Sequence, residues 1–284
     1  MKCSVALCAY NGERFLNQQI ESILSQTLPL DEIIICDDKS TDGTVALINN
    51  FLKQYPDKIK FVQNAENVGA IKSFERCIKE CSGDIVFLSD QDDVWHEDKV
   101  ARMLSVFKKD PKALLVFSDG DLIDENGNGL SGTLWSKWNF TSELQKEWQN
   151  NNIAFTYLIK NHNKITGATV AFRKELKGVI FPFELPATMW HDTWLGIIAA
   201  GNGGLRFITE PLIHYRVHNN QQIGIGNGTS LFSGDKSYSG ITYEYFQNKV
   251  EVIFPGKVKL IYNQKLSLFH RGFNKVKRIL KEHL

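Results

Sequence analysis

Phe87-Leu88-Ser89-Asp90-Gln91-Asp92-Asp93-Val94-Trp95 runs an apolar, strand-like segment directly into three carboxylates within four positions. Carboxylates that close repel one another, and burial would push their pKa values up, so the arrangement calls for a cation. A hard divalent ion shared with a phosphate-bearing ligand is the natural counter-charge. The competing reading is an acidic start to the helix that begins near Lys99, but capping needs only one such side chain.

Outward from this stretch, apolar strand-like runs at residues 4–8, 32–36, 59–62, 85–88 and 113–117 alternate with segments of helical spacing at 14–25, 44–54, 71–81 and 99–109. Thr41-Asp42-Gly43-Thr44 supplies capping residues for the second helix. This β-α-β-α order predicts an α/β protein with a mostly parallel central sheet and helices on both faces. Ligands of such sheets bind beyond the carboxyl ends of the strands. Tyr10-Asn11-Gly12, Asp37-Asp38-Lys39-Ser40, residues 64–69 and residues 90–93 each follow a strand, so all four clusters are expected to face one crevice. No GxGxxG and no P-loop lysine sequence occurs in these loops, which disfavours a dinucleotide fold or an ATPase. The adjacent carboxylates of Asp37-Asp38 also lack the one-residue separation of a phosphatase nucleophile motif.

A chain of 284 residues that is 43% apolar can bury a large core. Its net charge of +1 conceals an asymmetry: residues 256–284 hold eight Lys or Arg against one acidic residue, a +7 tail on a −6 body. Phe269, Phe273, Val276 and Leu280 recur there at helical spacing among Lys275, Lys277, Arg278 and Lys281. That pattern suits a helix lying on an anionic membrane surface, or a terminal helix packed on the acidic body. The basic residues carry no recognition motif, so nucleic acid is not an expected partner. Five cysteines without CxxC spacing argue for a reducing compartment, and Cys3, Cys8 and Cys36 read as small core residues. The apolar run at residues 1–10 is too short for a signal peptide and no window reaches a membrane span, so a cytoplasmic location is expected.

Cys8-Ala9-Tyr10-Asn11, Gln26-Thr27 and Cys36-Asp37-Asp38-Lys39-Ser40-Thr41-Asp42, in that order, resemble the opening of family 2 glycosyltransferases of the GT-A fold. Asp90-Gln91-Asp92-Asp93 then resembles their DxD motif, and Leu88 to Trp95 is similar in wording to a branch rich in rhamnosyltransferases of bacterial surface polysaccharides. Ile165-Thr166-Gly167-Ala168-Thr169 resembles the family's glycine loop near the donor sugar. Trp190-His191-Asp192-Thr193-Trp194-Leu195 resembles the motif whose carboxylate is the catalytic base, with His191 where the family often has Glu. Tyr215-Arg216-Val217-His218-Asn219-Asn220 resembles the segment whose histidine reaches back to the metal.

The resemblance implies a nucleotide site at Cys8, Ala9, Tyr10, Asp38, Asn67 and Asp90, a sugar site at Gly167, Trp190 and His191, Asp92 and His218 as ligands of Mn²⁺ or Mg²⁺, and Asp192 as base. The chemistry suits these types. A metal can neutralise a departing nucleoside diphosphate without a protein acid. An imidazole ligand favours Mn²⁺ over an all-oxygen Mg²⁺ site. A carboxylate at Asp38 can accept a pyrimidine ring N–H while Tyr10 stacks on the base, an edge that uracil and thymine share. One of Asp37 and Asp38 is expected to serve a turn instead. Lys72 and Arg76 are candidates for the diphosphate, against the plainer reading of solvated helix charges. Asp192 can take the acceptor hydroxyl's proton in a single inverting displacement, or cap the helix it begins. Glycosidases need a second carboxylate to protonate the leaving group.

Between residues 119 and 164 the periodicity weakens, as expected of inserted acceptor-binding elements, and one or two of Trp135, Trp138, Trp148, Trp190 and Trp194 are expected to touch acceptor. The expected organisation is a nucleotide-sugar-binding half at 1–118, an acceptor and catalytic half at 119–225 of the same GT-A domain, and a basic helical extension at 226–284. The expected activity is inverting, metal-dependent transfer of a sugar, rhamnose from dTDP-rhamnose, to a growing lipid-linked bacterial surface polysaccharide. A UDP-hexose or UDP-N-acetylhexosamine transferase of the same fold and a non-catalytic sugar-nucleotide or carbohydrate-binding protein are the alternatives. A nucleotidyltransferase is disfavoured because residues 8–15 contain only Gly12 where a glycine-rich triphosphate loop would stand.

Overall fold

The computed structural model describes residues 1–186, 189–219, 221 and 243–258. The first half alternates as expected: β1 (Cys3–Ala9), α1 (Leu16–Leu24), β2 (Glu32–Asp37), α2 (Thr44–Gln54), β3 (Ile59–Gln63), α3 (Ala70–Glu80), β4 (Ile85–Ser89), the two-residue β5 (Val94–Trp95) and α4 (Lys99–Lys109). There follow β6 (Leu115–Ile123), β7 (Gly129–Thr133), α5 (Leu134–Lys137), α6 (Ser142–Trp148), α7 (Asn151–Ile159), β8 (Ala171–Arg173), α8 (Lys177–Ile180), α9 (His191–Gly201), β9 (Leu205–Arg216) and α10 (Tyr243–Ile253). The chain divides into compact units at 1–241 and 242–284, and α10 belongs to the second. The basic stripe at 269–281 lies outside the described residues.

One sheet runs in the order β3-β2-β1-β4-β8-β6-β9-β5, with β7 paired to β6. Strands β3, β2, β1 and β4 are mutually parallel, which puts the ends of all four at one edge. From β8 onward the pairing is mixed: β8 runs antiparallel to β4 and β6, β6 is parallel to β9, and β5 is antiparallel to β9. Strands β1, β2 and β4 are buried on both faces, as their continuous apolar runs require: Val5, Leu7, Ile33, Ile35 and Phe87 are fully inaccessible. Each such side chain contributes about 1.5–3 kcal/mol by leaving water.

Strand β6 extends well beyond the apolar run at 113–117 and crosses residue 118, so the two expected halves share a strand. Register shifts at Ser118/Asp119 and Asp119/Asp121 break its alternation, which is why Asp119-Gly120-Asp121 does not read as strand. Asp119 is satisfied inside the fold by the N–H groups of Gly120 and Trp135 at 2.8 and 2.9 Å. Trp135 and Trp148 pack with Phe117, Phe140 and Phe207, ring centroids 4.8–6.4 Å apart, and Trp194 is fully buried; all three are core. Helix α2 begins at Thr44, as its periodicity predicts, and Asp42 of the preceding turn accepts from the Thr44 N–H at 3.0 Å.

Candidate active site

The strand ends converge on a cavity of about 910 Å³ lined by Cys8, Ala9, Tyr10, Asp38, Asp90, Asp92, Gly167, Trp190, His191, Asp192 and His218. Asn67 is exposed and does not line it. Lys72 and Arg76 also stay outside: Lys72 pairs with Glu75 at 3.0 Å, and Arg76 donates to the Gln63 carbonyl and to Asn64 Oδ1. These two cations are committed to helix and loop structure and are withdrawn as diphosphate contacts. Of the five tryptophans, Trp138 and Trp190 line the cavity.

The two carboxylates at the end of β2 divide the work. Asp37 closes the turn, accepting from the Ser40 N–H at 3.0 Å, from the Ser40 hydroxyl and from Gln63 Nε2. Asp38 accepts from Asn64 Nδ2 and the N–H groups of Val68 and Gly69 at 2.8–2.9 Å, which fixes the loop entering α3. Gly69 stands at φ +82°, a left-handed conformation that glycine adopts without steric cost. A carboxylate offers about four acceptor positions, so three bonds leave Asp38 one for a ligand. Beside it, Tyr10 is tied to the acidic loop at both backbone atoms: its N–H donates to Gln91 Oε1 at 2.7 Å and its carbonyl accepts from Gln91 Nε2 at 3.0 Å. Gln91 was silent in the sequence because nothing local marks an amide that bonds across 81 positions.

Within the acidic loop the three carboxylates part company. Asp92 meets the second predicted metal ligand, its Oδ2 lying 2.9 Å from His218 Nε2. Two ligands in neighbouring positions on one ion at metal–ligand distances near 2.1 Å are about 3 Å apart, so carboxylate and imidazole fit a shared divalent cation. The imidazole is braced by Phe15, ring centroids 4.8 Å apart. Asp93 turns into the protein, where Oδ1 accepts from the Arg216 N–H at 3.0 Å and Oδ2 is buried without a hydrogen bond among the described residues. Asp90 faces the cavity, and burial, with the charges of Asp92 and Asp192 adding to it, pushes its pKa up to about 7. None of the three caps α4, whose N-cap position is Asp98 and carries no side-chain cap.

Arg216 is the residue that the sequence reading passed over. Its side chain donates to the Asp92 carbonyl at 2.8 Å, the Asp124 carbonyl at 3.1 Å and Gln18 Oε1 at 2.7 Å, and so carries the acidic loop on the strand that delivers His218. Buried Lys99 likewise donates to the Ala168 carbonyl at 2.6 Å and lies over the Trp95 ring, joining α4 to the loop at Gly167. Burial lowers its pKa to about 7, against the pull of Asp93 and Asp90.

Across the cavity, α9 opens on His191 and Asp192. Asp192 Oδ1 accepts from the Thr193 N–H at 2.5 Å and from Asn163 Nδ2 at 3.3 Å. Burial raises its pKa to about 6, the range in which a carboxylate can serve as a proton acceptor near neutrality. It occupies the first turn of α9, and that position is compatible with base chemistry. His191 stacks on Phe74 at 4.2 Å, and both ring nitrogens are buried without hydrogen bonds among the described residues. Burial lowers its pKa to about 3, so this corner of the cavity presents a neutral ring. Gly167 approaches it closely: a Cβ there would lie 3.1 Å from His191 Nε2.

A mostly parallel sheet whose strand ends face an ionisable carboxylate across one cavity is the architecture of the GT-A glycosyltransferases. Residues 4–167, more than half of the chain, match the model of glycosyl transferase family 2, and the chain belongs to that family. It is 29% identical over 268 residues to an uncharacterized glycosyltransferase of Nostoc, alr2836, an alignment covering 93% of this chain and 80% of that one. It is 28% identical to the dTDP-rhamnosyl transferase RfbG of Shigella flexneri, covering 77% of this chain and 73% of that one. Among solved structures it resembles TarS of S. aureus in complex with UDP-GlcNAc, with a TM-score of 0.56 and 17% identity over 78% of this chain and 60% of that one.

Proposed function

We propose that this chain is an inverting, divalent-metal-dependent glycosyltransferase that moves rhamnose from dTDP-rhamnose to a growing, lipid-linked bacterial surface polysaccharide. The observation that carries the reading is the meeting, in one cavity, of the Asp92–His218 pair with Asp192. The rhamnosyl donor is supported by the likeness to RfbG and by the wording of residues 88–95. TarS with UDP-GlcNAc supports a nucleoside diphosphate sugar more broadly.

Asp92 and His218 would hold Mn²⁺ or Mg²⁺, which when bound supplies the positive charge that a departing diphosphate needs in place of a protein acid. Tyr10 stacks on the pyrimidine, and the free acceptor position of Asp38 takes its ring N–H. Asp90 receives the ribose hydroxyls. Trp138 and Trp190 offer flat faces to acceptor sugar C–H groups, while Asp192 removes the acceptor hydroxyl's proton as its oxygen attacks the anomeric carbon. No helix among the described residues is long and apolar enough to cross a membrane, and we assign contact with the inner membrane surface to the basic stripe at 269–281 on sequence alone.

Turnover with a panel of sugar nucleotides tests the reading. Release of dTDP from dTDP-rhamnose with Mn²⁺ present, and inversion at the anomeric carbon by NMR of the product, are the expected results. Preference for UDP-hexoses would replace the donor and keep the class. Binding of every donor without release of nucleoside diphosphate would leave a sugar-nucleotide-binding protein.

A further inference from the structure

A second cluster of metal-ligating side chains lies away from the cavity, on the strands that frame the acidic loop. His96 follows β5, Asp121 is on β6 and His214 is on β9. The strand register places them together. Val94 pairs with His214 and Asp121 pairs with His214, so Asp121 and His214 are direct neighbours on one face. His96, two residues beyond Val94, stands on that face diagonally from His214, and its backbone N–H continues the ladder to the Leu212 carbonyl at 3.1 Å. One ligand atom from each residue lies within 4.8 Å of the other two.

We infer that His96, Asp121 and His214 form a zinc-class metal site separate from the donor site, joining β5, β6 and β9. Two imidazoles and one carboxylate are the donor set of a three-ligand zinc centre that keeps a fourth position for water. Bond lengths near 2.0–2.1 Å put tetrahedral ligands about 3.3 Å apart. His96 Nε2 already lies 3.3 Å from Asp121 Oδ2, and His214 Nδ1 lies 3.9 Å from the same oxygen. Rotation of the His214 side chain, which is 42% exposed, closes the remaining gap. His96 Nε2 is buried and has no hydrogen bond among the described residues, although an acceptor stands opposite it. A metal would satisfy that nitrogen; the two rings, centroids 4.2 Å apart, would share one ion. Two nitrogen ligands favour Zn²⁺ over Mg²⁺ by ligand type, and the usual order of affinities places Zn²⁺ above Mn²⁺ at such a site.

The consequence is positional. His96 comes four residues after Asp92 and His214 four residues before His218. An ion between them would staple the two strands that present the proposed donor-site ligands, acting on that pair by holding β5 against β9.

Co²⁺ in the full-length Asp92→Asn variant, where the donor-site pair is disabled, isolates the cluster. The expected result is one Co²⁺ per chain with the visible d–d bands of a four-coordinate site, displaced by Zn²⁺. Zn²⁺ at a hundredfold excess over its Kd should then raise Tm by about 5–10 °C. Adding His214→Ala, or separately Asp121→Asn, should weaken Zn²⁺ binding by at least about a hundredfold, since loss of even an outer partner costs ten- to hundredfold. Both side chains are more than 40% exposed, so circular dichroism is expected to show an intact fold. Absence of Co²⁺ and Zn²⁺ binding in the Asp92→Asn protein, or equal binding after His214→Ala and Asp121→Asn, overturns the site. Neither readout depends on transferase activity.

Discussion

Replacing Asp192 by Asn removes the proposed base while disturbing little else. The amide oxygen of Asn can still accept from the Thr193 N–H that now lies 2.5 Å from Asp192 Oδ1, so α9 keeps its first-turn bond. Positioned general bases contribute about 10²–10⁴ in rate, or roughly 2.7–5.5 kcal/mol of barrier. The expected kcat is therefore at least about a hundredfold lower, with donor Kd within about twofold, because the proposed nucleotide contacts at Tyr10, Asp38 and Asp90 are untouched. The pH dependence follows from the raised pKa of about 6. A base works only when ionised: about 97% of Asp192 is so at pH 7.5 and about 9% at pH 5, so kcat/KM should fall with unit slope on the acid side. The assay is nucleoside diphosphate release across pH 4.5–8 for both proteins, beside calorimetric donor titration. An Asn variant within tenfold of the parent, or one retaining the same acid limb, would show that the carboxylate serves only its helix.

Asp92→Asn should abolish metal-dependent donor affinity and leave Tm nearly unchanged, since the side chain projects from a loop; calorimetry with the nucleoside diphosphate and Mn²⁺ decides it, and unchanged affinity removes Asp92 from the metal site. Gln91→Leu deletes both hydrogen bonds to the Tyr10 backbone, at about 0.5–1.5 kcal/mol each, and is expected to raise donor Kd about tenfold with kcat at saturation preserved. Equal affinity would mean that the Tyr10 loop needs no support from the acidic loop. Deleting residues 259–284 should reduce co-sedimentation with anionic liposomes, and raised salt should do the same to the intact chain. A salt-independent lack of binding by the intact chain refutes the membrane assignment.

Much of the site was legible because its residues follow strands. Each of the motifs after β1, β2 and β4 reads locally as apolar run, then polar cluster, and parallel pairing gathers such ends without further information. Legibility ended where the partner is distant in sequence. Asn67 belongs to the right loop and yet stays in solvent, because Asp38 captures that loop through Val68 and Gly69 instead. Arg216, Gln91 and Lys99 act through bonds across 124, 81 and 69 positions, and no local pattern distinguishes them from surface charges and amides.

From its sequence alone this chain is determined to be an α/β protein with a carboxylate-rich ligand edge, because periodicity and strand-end polarity are local properties of the backbone. The family resemblance, carried by motifs in their order, was legible at the same level. The tertiary structure decided which carboxylates do what. Asp90, Asp92 and Asp93 are near-equivalent as text, but the pairing of β5 with β9 turns Asp93 inward to Arg216, sets Asp92 against His218 and leaves Asp90 facing the cavity. The same register assembles His96, Asp121 and His214, which are spread over 119 positions of sequence with no motif spacing. Side-chain roles of this kind depend on distance and desolvation, and both exist only once remote strands have paired.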